Sequence, residues 1–349
     1  MLRQATKYHS DAVRSVGLRR ETALVIVRPH MDGALTCWTL TEGHAGAESQ
    51  CRGLAEALGL AASVKRVRVR KPWSWLPGRL WLRPLAAPTA DSDPLAPPWP
   101  DLLISCGNAA APLAVAVKRA SGGRTRIVHI QNPRMSTGLF DIVIAPRHDG
   151  LAGDNVLSTR LAIHPVTQAK LAAAAAEWTA AFADLPRPLV GVLIGGGNRR
   201  YRMTAEAIAH LTHQLAQLRS TNGVGLAITP SRRTGGANEA ALTARLSGSG
   251  VYIWDGHGAN PYLGILALAD VLVVTQDSVS MTSEAIAANK PVYIFKLPGH
   301  SRRIGAFHDG LVAEGITRWF DGSLAHWEYA PVDDTGSVAS EIRRRFGWR

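Results

Sequence analysis

Short apolar runs alternate with helix-like stretches along most of the chain. The runs at 35–40, 101–105, 126–130, 140–145, 189–194, 224–228, 251–254, 270–274 and 291–295 are rich in Val, Ile and Leu. Continuous apolar runs of this length are what strands buried on both faces of a parallel sheet require. The stretch 64–69 instead alternates, as an edge strand does. Between the runs, 47–58 places Leu54, Ala55 and Leu58 on one helical side, and 110–118, 167–183, 204–219, 238–246 and 261–267 also read as helices. Strand and helix in alternation predict an α/β fold with parallel sheets.

The alanine-rich helix meets Pro186-Arg187-Pro188, which cannot continue it. Behind those prolines the strand–helix pattern restarts. The expected organisation is a basic tail at 1–22, a Rossmann-like domain at 23–185 with a proline-rich loop at 84–100, a second at 186–330, and a tail at 331–349 in which 338–346 reads as a helix. Two doubly wound domains would then face each other across a cleft. At 349 residues the chain is long enough for two cores.

The segment Thr275-Gln276-Asp277-Ser278-Val279-Ser280-Met281-Thr282-Ser283-Glu284 carries the strongest chemical signal. It lies between a strand and the helical run beginning at Ala285, with Asn289 suited to a left-handed cap. A hydroxyl-rich turn at a helix N-terminus offers free N–H groups and a dipole to an anion. Asp277, Ser278, Ser280 and Ser283 are candidate contacts. Glu284, read as lying in the first helical turn, could accept sugar or ribose hydroxyls. An ordinary serine cap would give the same pattern.

Gly195-Gly196-Gly197-Asn198-Arg199 follows a strand but lacks both the Gly-x-Gly-x-x-Gly spacing and a P-loop Lys, which argues against NAD binding and ATP hydrolysis. Gly196 would allow close approach of a phosphate, with Asn198 and Arg199 as donors; a plain tight turn is the alternative. Ser231, Arg232 and Arg233 follow the next strand, and paired guanidinium forks suit a diphosphate as well as they suit solvent. Asp91-Ser92-Asp93, the one Asp-x-Asp match, sits in the proline-rich loop, so no metal site is expected. His44 and Glu42, in the loop after the first strand, have the chemistry of a general base, although loop histidines are more often solvated.

Residues 278–291 resemble the donor motif of GT-B glycosyltransferases. The chain as a whole resembles the mitochondrial fission Elm-type family. The matching pieces are Thr41-Glu42-Gly43-His44, Ile130-Gln131-Asn132-Pro133-Arg134, Phe140 to Pro146, Ile194 to Asn198, Thr229 to Thr234 and the hydroxyl-rich turn. The resemblance implies a GT-B-like architecture with its last helix packed on the first domain. It also implies a nucleoside-diphosphate sugar as donor substrate, no separate cofactor, and a glycan or glycolipid acceptor over the first domain, where Gln131-Asn132-Pro133-Arg134 ends a strand and is a candidate contact. The family's plant members imply the alternative, a non-catalytic protein that recruits partners at a membrane.

Composition adjusts this picture in three places. A net charge of +12 and a pI near 10.2 favour anionic partners. Lys65, Arg66, Arg68, Arg70, Lys71, Arg79 and Arg83 occur without an intervening acid, interleaved with Trp73, Trp75 and Trp81. That mix suits an anionic membrane surface, or a solvated loop whose tryptophans pack inward; no RNA-binding motif accompanies it, so nucleic acid is the least favoured partner. Three scattered cysteines and the absence of a long apolar run or signal-like segment lead us to expect a cytoplasmic protein, peripheral to the inner face of a membrane if bound there at all.

Overall fold

The computed structural model describes residues 35–348, so the basic segment 1–22 lies outside the described residues. Strands β1 (Cys37–Thr41), β2 (Ala62–Arg66), β3 (Leu102–Cys106), β4 (Arg126–Ile130), β5 (Ile142–Pro146) and β6 (Val156–Thr159) form a parallel sheet in the order β2-β1-β3-β4-β5-β6. Helices α1 (Ala45–Ala57) and α2 (Ala110–Ala120) cover its two faces. The helix α3 (Gln168–Trp178) leads to the second half: β7 (Leu189–Ile194), α4 (Ala205–Asn222), β8 (Gly225–Pro230), α5 (Gly236–Leu246), β9 (Val251–Ile253), α6 (Tyr262–Leu268), β10 (Val271–Thr275) and α7 (Val279–Ile286). It continues as β11 (Val292–Phe295), α8 (Arg302–Ala313), β12 (Thr317–Trp319) and α9 (Asp334–Phe346). The second sheet is also parallel, ordered β12-β11-β10-β7-β8-β9.

The inner strands of each sheet are buried on both sides, which is why they carry continuous apolar runs. In the second sheet Val190, Val192 and Ile194 meet Ile208, Leu215 and Leu242 from α4 and α5. Leu189 and Leu193, on the opposite face, meet Leu171, Ile265, Ile286 and Leu311 from α3, α6, α7 and α8. Helix α9 returns to the first sheet, where Val338, Ala339 and Ile342 join Cys51 and Leu54. Gly53 permits the fit of α1: a Cβ there would lie 2.4 Å from the His164 carbonyl carbon.

Several details depart from the sequence expectation. The helix expected from Ala285 begins at Val279, because Ser278 caps it by accepting from Met281 N at 3.2 Å. Asn289 does adopt the left-handed conformation, at φ 54°. The apolar positions of α8 are diluted by Gly305, His308 and Gly310, and β6 and β12 are short, so none of the three stands out in the pattern. The proline-rich loop is strapped beside the edge strand: Arg70 N donates to Ala87 O, Thr89 N to Arg68 O, and Asp93 N to Arg66 O. Asp91 pairs with Arg68 at 3.0 Å, which accounts for the Asp-x-Asp match as loop bracing. The three tryptophans separate as well. Trp81 is in the core, Trp73 is half-buried against it, and only Trp75 is exposed.

Candidate functional site

The direction in which strands are added reverses once in each sheet, between β1 and β3 in the first and between β7 and β10 in the second. Loops leaving the carboxyl ends on either side of such a point diverge and open a crevice. The sequence-predicted residues cluster at these two points. Glu42 and His44 follow β1, Gly196 to Arg199 follow β7, Ser231 to Arg233 follow β8, and Asp277 to Glu284 follow β10.

At the second switch point the loops hold one another. Thr275 Oγ1 accepts from Gly195 N at 2.8 Å and donates to Asp277 Oδ1 at 2.7 Å. Asp277 Oδ2 accepts from Gly196 N at 3.2 Å and lies 2.9 Å from the Arg233 guanidinium. Burial pushes the Asp277 carboxyl up, while Thr275, Arg233 and the Gly196 amide draw it back down. Ser231 and Thr234 both donate through their hydroxyls to Gly195 O.

In this bracing several of the candidate residues are engaged by other protein groups. Gly196 is needed because a Cβ would sit 2.1 Å from Arg233 O, where two protein loops approach closely. Its N–H is already given to Asp277. The Asp277 side chain is fully enclosed and holds the loops together through Arg233. Asn198 accepts from Arg200 N and Tyr201 N and donates to Asp277 O, and the Ser231 hydroxyl is likewise engaged. Ser283 is buried, donating to Val279 O and accepting from Ala162 N at 2.9 Å, so it joins the two halves of the molecule.

What remains open to a ligand is a smaller set. The first-turn amides of α7, at Val279 and Ser280, have no carbonyl of their own helix to bond. Arg199 and Arg232 are exposed and form no ion pair within 4.0 Å among the described residues. Each adjoins a residue that contacts Asp277, immediately before the helix cap. Two exposed arginines therefore flank the loops that lead to the N-terminus of α7.

Glu284 lies in the second turn of α7, not the first, so the helix dipole is not what holds it. Its carboxylate instead accepts from Ser49 Oγ at 3.2 Å and from Tyr262 OH at 2.5 Å, three elements meeting at one buried group. Burial raises its pKa; the two hydroxyls and the nearby Arg52 lower it. Neither Ser49 nor Tyr262 carried a sequence signal. Ser49 is one polar position of an amphipathic helix, and Tyr262 opens the otherwise apolar α6.

The first sheet supplies the facing wall. His44 is the exposed N-cap of α1, its side chain unused in capping. Two residues on, Gly46 abuts α7, since a Cβ there would lie 3.3 Å from Ser280 Oγ. Glu42 spans the switch point, accepting from Ala109 N at 3.4 Å beside the start of α2. The loop after β4 holds Gln131 and Arg134 at positive φ, 79° and 54°, with Arg134 N donating to Asn132 Oδ1 at 2.9 Å.

The chain is similar to known proteins in sequence and in fold. The sequence profile of the family described as mitochondrial fission ELM1 matches residues 45–346. The mitochondrial fission protein ELM1 of Arabidopsis thaliana is 31% identical over 392 residues, covering 88% of this chain and 90% of that one. The Rickettsia prowazekii protein RP120 is 28% identical over 285 residues, covering 70% and 79%. Among solved structures, a UDP-GlcNAc 2-epimerase from Methanocaldococcus jannaschii superposes with TM-score 0.56 at 11% identity, covering 89% of this chain and 99% of its own. The glycosyltransferase SnogD of Streptomyces nogalater gives 0.50 at 14% identity, covering 90% and 95%. These two share the paired-sheet GT-B architecture with this chain.

Proposed function

The chain belongs to the mitochondrial fission ELM1 family, and on that premise we propose that it is a metal-independent sugar transferase using a nucleoside-diphosphate sugar. The observation that carries the reading is Glu284. A buried carboxylate that receives two hydroxyls from different elements offers the acceptor pair that the vicinal diol of a ribose would occupy, with Ser49 and Tyr262 as the present stand-ins. Counting along the helix at about 1.5 Å per residue, Glu284 lies roughly 6 Å from the free amides near Ser280, a span suited to ribose and diphosphate. The diphosphate would rest on those amides between Arg199 and Arg232, which would neutralise the leaving charge.

The acceptor, a cell-envelope glycan or glycolipid, would approach over the first sheet. Its hydroxyl oxygen would form the new bond to the anomeric carbon as the bond to the phosphate oxygen breaks, with inversion. The hydroxyl proton would pass to His44, which stands exposed at the cleft edge, or to Glu42 beside α2. The protein would work in the cytoplasm, at the inner face of the membrane.

A second reading is a non-catalytic member that recruits partners at a membrane. It is favoured by the name of the Arabidopsis relative and by the occupation of Glu284 by the protein's own hydroxyls. Titration with UDP, GDP, CMP and dTDP tests the donor site. We expect one of them to bind, and Glu284→Gln to weaken it by about 10- to 150-fold, the equivalent of about 1.5–3 kcal/mol for a charged hydrogen bond. Unchanged affinity in a folded Glu284→Gln protein would remove Glu284 from the site. Binding without sugar transfer to any acceptor would favour the second reading.

A further inference from the structure

The segment 72–86, an insert between strands β2 and β3, is left unused by the sugar-transfer reading. It is ordered by its own contacts: Trp73 Nε1 donates to Leu82 O at 2.9 Å, and Trp81 Nε1 to Leu76 O at 3.0 Å. Trp81 anchors it in the core, and Gly78 presses on Pro112 of α2. The anchored frame leaves its other side chains in water. Trp75 is 71% exposed, Leu80 55% and Leu82 82%, with Leu76 and Leu85 also exposed. Apart from Val64, they are the large apolar side chains standing exposed among the described residues. Such a concentration on one insert marks an interaction surface.

The bases of this region divide by role. Arg66 and Arg68 pair with Glu48 and Asp91, Arg70 donates to Ala86 O, and Lys65 covers the Trp38 ring. Lys71, Arg79 and Arg83 form no ion pair among the described residues, and Lys71 lies 4.6 Å from the exposed Trp75 ring. Beside the insert, between it, α2 and the loop after β4, lies a pocket of about 590 Å³. Its walls are apolar, from Trp81, Pro112, Val115 and Met135, while Arg79, Arg119 and Arg134 reach it without any carboxylate among the lining residues. Arg134 is held there by left-handed backbone.

We propose that this insert and pocket form a docking site for an anionic lipid bilayer. The exposed apolar side chains enter the leaflet, the free bases face its charge, and the pocket takes the phosphate headgroup of one lipid. Charge complementarity selects this occupant: apolar side chains interleaved with uncompensated bases match the layered chemistry of an acidic membrane interface. A purely apolar partner surface would leave the three pocket arginines without counter-charge, and RNA would gain nothing from exposed leucines.

The site is separate from the donor cleft, so its test is independent of nucleotide binding. Full-length protein is sedimented with vesicles of phosphatidylcholine alone or with about a third phosphatidylglycerol. We expect binding to the anionic vesicles only, reduced about fivefold by each loss of a free base in Arg79→Gln and Arg83→Gln. Trp75→Ser with Leu82→Ser should cost on the order of tenfold or more, and that loss should persist at salt levels that screen charge. Arg119→Gln with Arg134→Gln, both lining the pocket, should weaken binding to phosphatidylglycerol at unchanged melting temperature and unchanged affinity for nucleotide. Equal binding by all variants overturns the proposal, as does equal binding to both vesicle types. Retention on RNA with no vesicle binding would assign the bases to nucleic acid instead, and competition by free inorganic phosphate without vesicle binding would reduce the pocket to a soluble-anion site.

Discussion

His308 shows how burial of one side chain makes the stability of this fold depend on pH. Its Nε2 donates to Gln276 O at 2.9 Å, next to Asp277, and burial depresses its pKa from 6.5 to about 4. A histidine held neutral in the fold but free to protonate when unfolded favours unfolding as acid is added. Its contribution is therefore intact above pH 6.5 and is lost progressively as pH falls to about 4. The shift corresponds to on the order of 3 kcal/mol. His129, buried in the first sheet and depressed to about 3, acts in the same direction. Melting followed between pH 7 and 4 should show a steep loss for the natural protein and a shallower one for His308→Gln. Parallel slopes would mean that His308 is not neutral in the fold.

At the scale of elements, the loops after β7, β8 and β10 behave as one unit because Gly195 and Gly196 let them touch. Gly196→Ala would force Arg233 O away from a Cβ 2.1 Å distant and pull apart the frame around Asp277. We expect a loss of about 1–3 kcal/mol in stability, as for other overpacked sites, together with loss of nucleotide affinity. A Gly196→Ala protein with native melting and native binding would show that the loops do not need this contact. These loops also show what the sequence could convey. Apolar runs disclosed the strands, because a doubly covered parallel strand has no polar face, and the carboxyl-end rule then located the cleft. The roles within the cleft were less legible. Gly196, Asn198, Ser231 and Ser283 have the composition of a phosphate cradle, yet each is spent on another protein group. Composition reports which groups are present and cannot report which are already satisfied. Ser49 and Glu284 meet across 235 positions of sequence, beyond any local pattern.

Across the whole molecule, the two sheets are tied at several points around the cleft. Ala162 N bonds Ser283, Arg303 reaches Asp149 at 2.7 Å, Arg147 pairs with Glu314, and α9 returns to the first core. The switch points are thereby held facing each other, with an exposed histidine on one side and a positively charged helix terminus on the other. The central claim is that this terminus binds a nucleoside-diphosphate sugar. Its most direct test is thermal unfolding of the natural protein with UDP-, GDP-, CMP- and dTDP-sugars in turn. A ligand bound only by the folded state adds about 2.7 kcal/mol at a hundredfold excess over its Kd. For a chain of this size we expect one nucleotide class to raise the melting temperature by several degrees. No shift with any of the four classes at millimolar concentration would contradict the account.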